Sequence, residues 1–109
     1  MRKVKQSRCV IGIKGQSPAP DYPVDIWFDS LKSVANVLSK ENQQLLKVIA
    51  EQQPQSLTEI ASISGRALSN VCRTLKTMEK HSIVEMIPNG SSVQVNVLAD
   101  NWLVVLGKL

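Results

Sequence analysis

Two periodicities run along this chain, and the point where one gives way to the other divides it. Residues 8 to 13, RCVIGI, are a short apolar run interrupted by Gly12 and predict a strand. Residues 14 to 24, KGQSPAPDYPV, hold three prolines and a glycine and predict an extended linker. From 26 to 38, IWFDSLKSVANVL, helical spacing puts Trp27, Phe28, Leu31, Val34, Ala35 and Leu38 on one face. Ser39 is expected to cap the next helix, with Glu41 in its first turn near the positive end of the helix dipole. That helix should run to about Gln53 and bury Leu45, Leu46, Val48 and Ile49. Pro54 stops it, because a proline has no N–H for the continuing ladder. SLTE at 56 to 59 has the form of a capping box, and the helix behind it should bury Leu57, Ile60, Ala61 and Ile63. Gly65 suits the positive φ of a tight helix exit, and a further helix starts near Ala67.

After Lys80 the period falls from 3.6 to 2. IVEMI and VQVNV flank PNGSS, where Asn89-Gly90 predicts a hairpin turn, and Val93, Val95 and Val97 share one strand face. The tail, NWLVVLGKL, predicts another strand, with a short helix as the alternative. The expected fold class is mainly α with a small β-sheet (α+β): a winged helix-turn-helix with extra terminal strands. A basic arm with a short strand and linker covers 1–24, and the winged domain covers 25–109. The second helix spans about 67–80 and the wing about 83–97.

That second helix carries the chemistry. In GRALSNVCRTLKTMEK, residues 65 to 80, the residues Leu68, Val71, Cys72, Leu75 and Met78 form an apolar stripe. Arg66, Ser69, Asn70, Arg73, Thr77 and Lys80 fall on the other side, a face with basic and amide groups and no carboxylate. In a helix-turn-helix the second helix lies in the major groove, where arginine suits guanine and asparagine suits adenine. Arg66, Asn70 and Arg73 are the right types for base edges. Ser69, Thr74, Lys76, Thr77 and Lys80 suit phosphate or water-mediated contacts. The wing tip of Asn89, Gly90, Ser91 and Ser92 is small and polar and suits the adjacent minor groove or its phosphates, weakly, since it carries no arginine or lysine. The bland alternative is a solvated helix face; the capped helix and glycine turn before it and the hairpin after it favour DNA.

Charge sharpens this. The net charge is +4, and residues 1 to 14 contribute +5 through Arg2, Lys3, Lys5, Arg8 and Lys14. Residues 66 to 80 contribute +3, and the remainder carries −4. Cations gathered into two segments suit a polyanion. At 109 residues the chain suits one domain, and with aromatics at 4% its core must be mainly aliphatic. No apolar run is long enough to span a membrane, and the N-terminal patch is too short for a secretory signal, so the protein is expected in the cytoplasm. Without secretion, the sequon at Asn89 carries no meaning. Cys9 and Cys72 lie far apart, with no metal-ligand spacing, and are expected as free thiols; neither a metal nor a cofactor is expected. His81, the one histidine, has no signalled catalytic partner and suits a structural place at a helix end. Trp27 and Phe28 suit core packing better than a ligand pocket. No phosphate-binding glycine loop or nucleophile motif is present, so no enzyme is expected.

These residues also carry a resemblance. IWFDSLKSVANVLSKENQQLLKVI, PQSLTEIASISGRALSNVCRTLKTMEK and the strand pair resemble a family of small predicted DNA-binding proteins of bacteria and archaea, the MarR-like winged-helix regulators. The resemblance covers roughly residues 8 to 107. Its most specific part is GR-x-x-SNV-x-RTLK, with WF-x-S and LS-x-EN upstream. It implies an autoregulating DNA-binding protein, often a homodimer, sometimes the antitoxin of a small toxin. Gly65, Arg66, Ser69, Asn70, Arg73, Thr74 and Lys76 match its motif. Cys72 stands where serine is usual. Ser82 stands where a glycine usually ends the recognition helix, so a strained backbone is expected there. The expected function is a sequence-specific transcriptional regulator, a dimeric repressor on double-stranded DNA. The alternatives are an antitoxin with a cognate toxin as partner, or a winged-helix adaptor that binds protein only.

Overall fold

The structure, a computed structural model, describes residues 6–16 and 22–107. Arg2, Lys3 and Lys5 of the basic arm, residues 17–21 of the linker, and Lys108 and Leu109 lie outside the described residues. The described chain is an α+β fold with four helices and two small sheets, in the order β1 (Gln6–Ile13), β2 (Ile26–Phe28), α1 (Leu31–Val37), α2 (Lys40–Gln52), α3 (Leu57–Ser64), α4 (Leu68–Lys80), β3 (Val84–Asn89), β4 (Ser92–Val97) and β5 (Ala99–Val105).

The terminal strands pair within the chain. β1 is central in a three-stranded sheet ordered β2-β1-β5, and both pairings are parallel. Cys9, Val10, Ile11 and Ile13 are all buried, so both faces of β1 are covered. This accounts for its continuous apolar run, since a strand covered on both sides needs no polar alternation. Gly12 is required by close approach: a Cβ there would lie 2.8 Å from both Trp27 Cζ3 and Val24 Cγ2.

The start of α1 corrects the sequence expectation. Residues 26–28 are a strand, and the helix begins at Leu31. Asp25 sets the boundary: its N–H donates to the Val10 carbonyl at 2.8 Å, and its Oδ2 accepts from the Val10 N–H at 2.8 Å. Ser30 then caps α1 by accepting from the Ser33 N–H at 3.1 Å. Phe28 is buried as expected, but Trp27 remains 42% exposed on the edge strand, and Leu31 and Ala35 are also exposed.

α2 is capped by Ser39 as expected, and its last turn ends at Gln53 in left-handed backbone (φ 48°) before Pro54. Leu45, Leu46 and Ile49 are buried, while Val48 is half-buried. Ser56 caps α3 by accepting from the Glu59 N–H at 3.0 Å. Glu59 reaches back one residue further than a capping box requires, accepting from the Gln55 N–H at 3.1 Å. α3 buries Ile60 fully but leaves Leu57, Ala61 and Ile63 half-buried. Gly65 (φ 72°) closes α3.

α4 buries Val71, Leu75 and Met78. Leu68 is 46% exposed and departs from the expected apolar stripe. As the first residue of α4 it directs its side chain back beyond the helix start, where no core lies. Cys72 is half-buried. At the far end Ser82 has φ 61°, as its place in the motif implied. The Ser82 N–H donates to Glu79 O at 3.0 Å and the Ile83 N–H to Met78 O at 2.9 Å, a left-handed helix exit sealed by buried Met78 and Ile83. The β3–β4 hairpin pairs Asn89 with Ser92. Its loop is therefore Gly90-Ser91, one residue later than expected, with the positive φ at Gly90.

A single core joins β1, β2, the four helices and the hairpin. The parallel sheet is tied to the end of α4 by Phe28, whose ring stacks on His81 at 4.2 Å and 8°.

Candidate nucleic-acid interface

The elements just described fix α4 from several sides. α3 meets it through the Gly65 turn, Val71, Leu75 and Met78 anchor it in the core, and His81 is held by Phe28. The opposite face is polar. Ser69, Arg73, Lys76, Thr77 and Lys80 are exposed and line, with Cys72, a shallow open groove of about 590 Å³. Thr74 is half-buried beside them. Among the described residues the salt bridges are Lys14–Asp29 at 3.0 Å and Lys47–Glu51 at 4.0 Å, and none involves Arg73, Lys76 or Lys80. The one acid in α4, Glu79, accepts from the Met86 N–H of β3 at 3.3 Å. Its charge is therefore directed to the hairpin. Thr77 donates its hydroxyl to the Arg73 carbonyl at 3.1 Å, which leaves its oxygen as an acceptor.

Three expected site residues are committed within the fold. Arg66 lies just before α4 and is half-buried. Its Nη2 donates to the Glu41 carbonyl at 2.8 Å. Its Nη1 donates to Asn42 Oδ1 at 3.1 Å and to Asn70 Oδ1 at 3.3 Å. Asn70 is thereby joined to the start of α2 instead of standing free. Asn89 donates to the Gln55 carbonyl at 3.2 Å and to Gln55 Oε1 at 3.4 Å, which pins the hairpin tip to the α2–α3 connection. Gly90 and Ser91 remain exposed. Glu41, Asn42 and Gln55 are partners that sequence reasoning missed; only the asparagine in LS-x-EN hinted at one of them.

The N-terminus of α4 differs from the other three. Serines cap α1, α2 and α3, whereas Ala67 offers α4 no side-chain acceptor. Its first-turn amides therefore lack the side-chain acceptor that the other three helices have.

Other chemistry is thin. No group of His, Cys, Asp and Glu able to hold a metal occurs among the described residues. Both cysteines are free. Burial, aided by nearby Asp25, pushes the Cys9 thiol up to about 11, so it stays protonated and inert. Burial and then the Lys80 charge hold His81 below its ordinary value of 6.5. No helix among the described residues is long and apolar enough to cross a membrane.

The chain belongs to the HVO_A0114 family, whose model matches residues 37–104, from the end of α1 into β5. The match includes the whole of α3, α4 and the hairpin, and the family's designation names no activity. No curated protein matches the sequence.

Proposed function

We propose that this chain is a sequence-specific DNA-binding transcriptional regulator of winged helix-turn-helix build, a repressor that works as a dimer. In this view α3 and α4 are the paired helices, α4 enters the major groove, and the β3–β4 hairpin is the wing. The observation that carries it is the outer face of α4. Three cations, two hydroxyls and an amide stand there without a competing carboxylate, on a helix held rigidly from behind. A merely solvated helix gains from mixed charge through pairs one turn apart, and this face has none. The uncapped start of α4 adds amide donors that suit a phosphate. A MarR-like ancestry, suggested by the motif, agrees with this arrangement.

A second reading, an antitoxin that also covers a small toxin, is favoured by one feature. An apolar groove of about 670 Å³ lies between α1, α2 and β5, lined by Leu31, Ala35, Leu38, Ala50, Trp102 and Val104. It suits protein, whether a second copy or a toxin, and it leaves the α4 face free for DNA.

The test is a gel shift on the protein's own promoter across a salt series. Affinity should fall with a log–log slope of about −0.9 per phosphate neutralised. Lys76→Ala and Lys80→Ala should weaken operator and scrambled duplex alike and flatten that slope. Binding that is absent, or indifferent to salt, would exclude the function.

A further inference from the structure

The bonds around Arg66 decide which way the Asn70 amide faces, and so which groups it can read. The chain of bonds begins at α1. Asn42 Nδ2 donates to the Val37 carbonyl at 3.0 Å and to the Asn36 carbonyl at 3.4 Å. Reversing that amide would set its oxygen against two carbonyl oxygens, so Asn42 Oδ1 must face Arg66. The Asn42 N–H is itself held by Ser39 Oγ at 3.2 Å, which fixes the residue in the first turn of α2. Arg66 has only donors. It spends Nη2 on the Glu41 carbonyl and divides Nη1 between Asn42 Oδ1 and Asn70 Oδ1. The Asn70 atom that faces the guanidinium must therefore be its oxygen, which leaves its NH₂ turned outward.

We infer that Arg66 is a positioning residue and that it sets Asn70 to read a base-edge acceptor in the major groove: guanine O6 or N7, thymine O4, or adenine N7 by a single bond. This rests on the DNA-binding function proposed above. It departs from the usual pairing of asparagine with adenine, which needs the side-chain oxygen and nitrogen together on the base. Here the oxygen is held on Arg66, and a bidentate contact to adenine requires breaking that bond. Arg66 then contributes to selectivity without touching a base, and the clamp also fixes the start of α4 against α2.

The experiment is selection from randomised duplexes by the full chain and three variants, with thermal melts alongside. Asn70→Asp keeps an oxygen toward Arg66 and turns a second oxygen outward. It should melt no lower than wild type yet bind the selected site about tenfold or more weakly, the size of one good base contact. Arg66→Ala frees the Asn70 amide to rotate. It should shift or broaden the base preference at one position, toward adenine, while the preference elsewhere in the site is kept. Arg66→Lys keeps the charge but lacks the guanidinium fork, so it should resemble Arg66→Ala in preference. A wild type that selects a sequence, with Arg66→Ala and Arg66→Lys keeping the same preference at every position, overturns the assignment alone. So does Asn70→Asp with unimpaired affinity. A wild type that selects no sequence removes the proposed function and this assignment with it, and the two failures are thereby told apart.

Discussion

At the scale of single residues, Arg73 and Leu75 separate the proposed recognition from folding. Arg73 is exposed in the middle of α4, with Lys76 one turn on, and no salt bridge among the described residues engages it. Arg73→Ala should cost about 1–3 kcal/mol on the preferred site and relax selectivity there. Its melting temperature should match wild type, because an exposed arginine supports no core. Leu75, fully buried on the opposite face, is the counterpart: Leu75→Ala should lower stability by about 2–5 kcal/mol. Operator preference unchanged in Arg73→Ala, at equal melts, would reduce the polar face to a solvated one. The sequence alone gave no warning that Arg66 and Arg73 would differ so much. Both are arginines in one motif, and their residue types are the same evidence. Arg66 is drawn into the fold because it sits outside the helix, beside the first turn of α2, and that neighbour is 24 residues away in sequence. Periodicity reports faces within an element and carries no information about such long-range partners.

At the scale of elements, what was legible followed from local chemistry. Two serine caps, Ser39 and Ser56, the Pro54 stop and the Gly65 exit are legible in the sequence because each depends on neighbours within four residues. Ser30 is not legible as a cap, since the apolar spacing of Trp27, Phe28 and Leu31 fits a helix as well as a strand followed by a cap. The hydrogen bonds of Asp25 to Val10 decide between them, and they span 15 residues. Gln53 is another case. Pro54 explained the end of α2 by itself, yet the backbone turns left-handed at Gln53, an exposed residue with a Cβ to accommodate. Gln53→Gly should raise stability by about 0.5–1 kcal/mol, as relief of the left-handed strain outweighs the added freedom of the unfolded chain. Gly65→Ala should cost about 1 kcal/mol for the converse reason: open space surrounds its Cβ position, so backbone strain alone acts. Chemical denaturation of both variants tests the pair, and a loss of stability in Gln53→Gly would count against the account of that helix end.

At the scale of the whole molecule, the stacked pair of Phe28 and His81 joins the terminal sheet to the end of α4, and it makes that joint sensitive to acid. His81 titrates below its ordinary value of 6.5, first because burial disfavours its charged form and next because Lys80 repels it; Asp29 partly opposes this. Lys14, also repulsive toward a charged His81, is paired with Asp29 at 3.0 Å, so these two charges largely offset each other at the joint. The unfolded chain therefore takes up its proton at higher pH than the folded one. By linkage, the contribution of His81 to stability is fully present above 6.5 and is lost as pH falls through the lowered value of the folded state. Urea denaturation from about pH 8 to about pH 5 should show stability level at first and then declining below the ordinary histidine range. His81→Phe preserves a ring against Phe28 and removes the proton. The difference between wild type and this variant should grow with acid in that window, before the carboxylates take over at lower pH. On the function proposed above, the same window should weaken selective DNA binding in wild type more than in His81→Phe, because the helix end is where the joint loosens. Parallel stability curves for the two proteins across that range would show that His81 does not couple the sheet to α4.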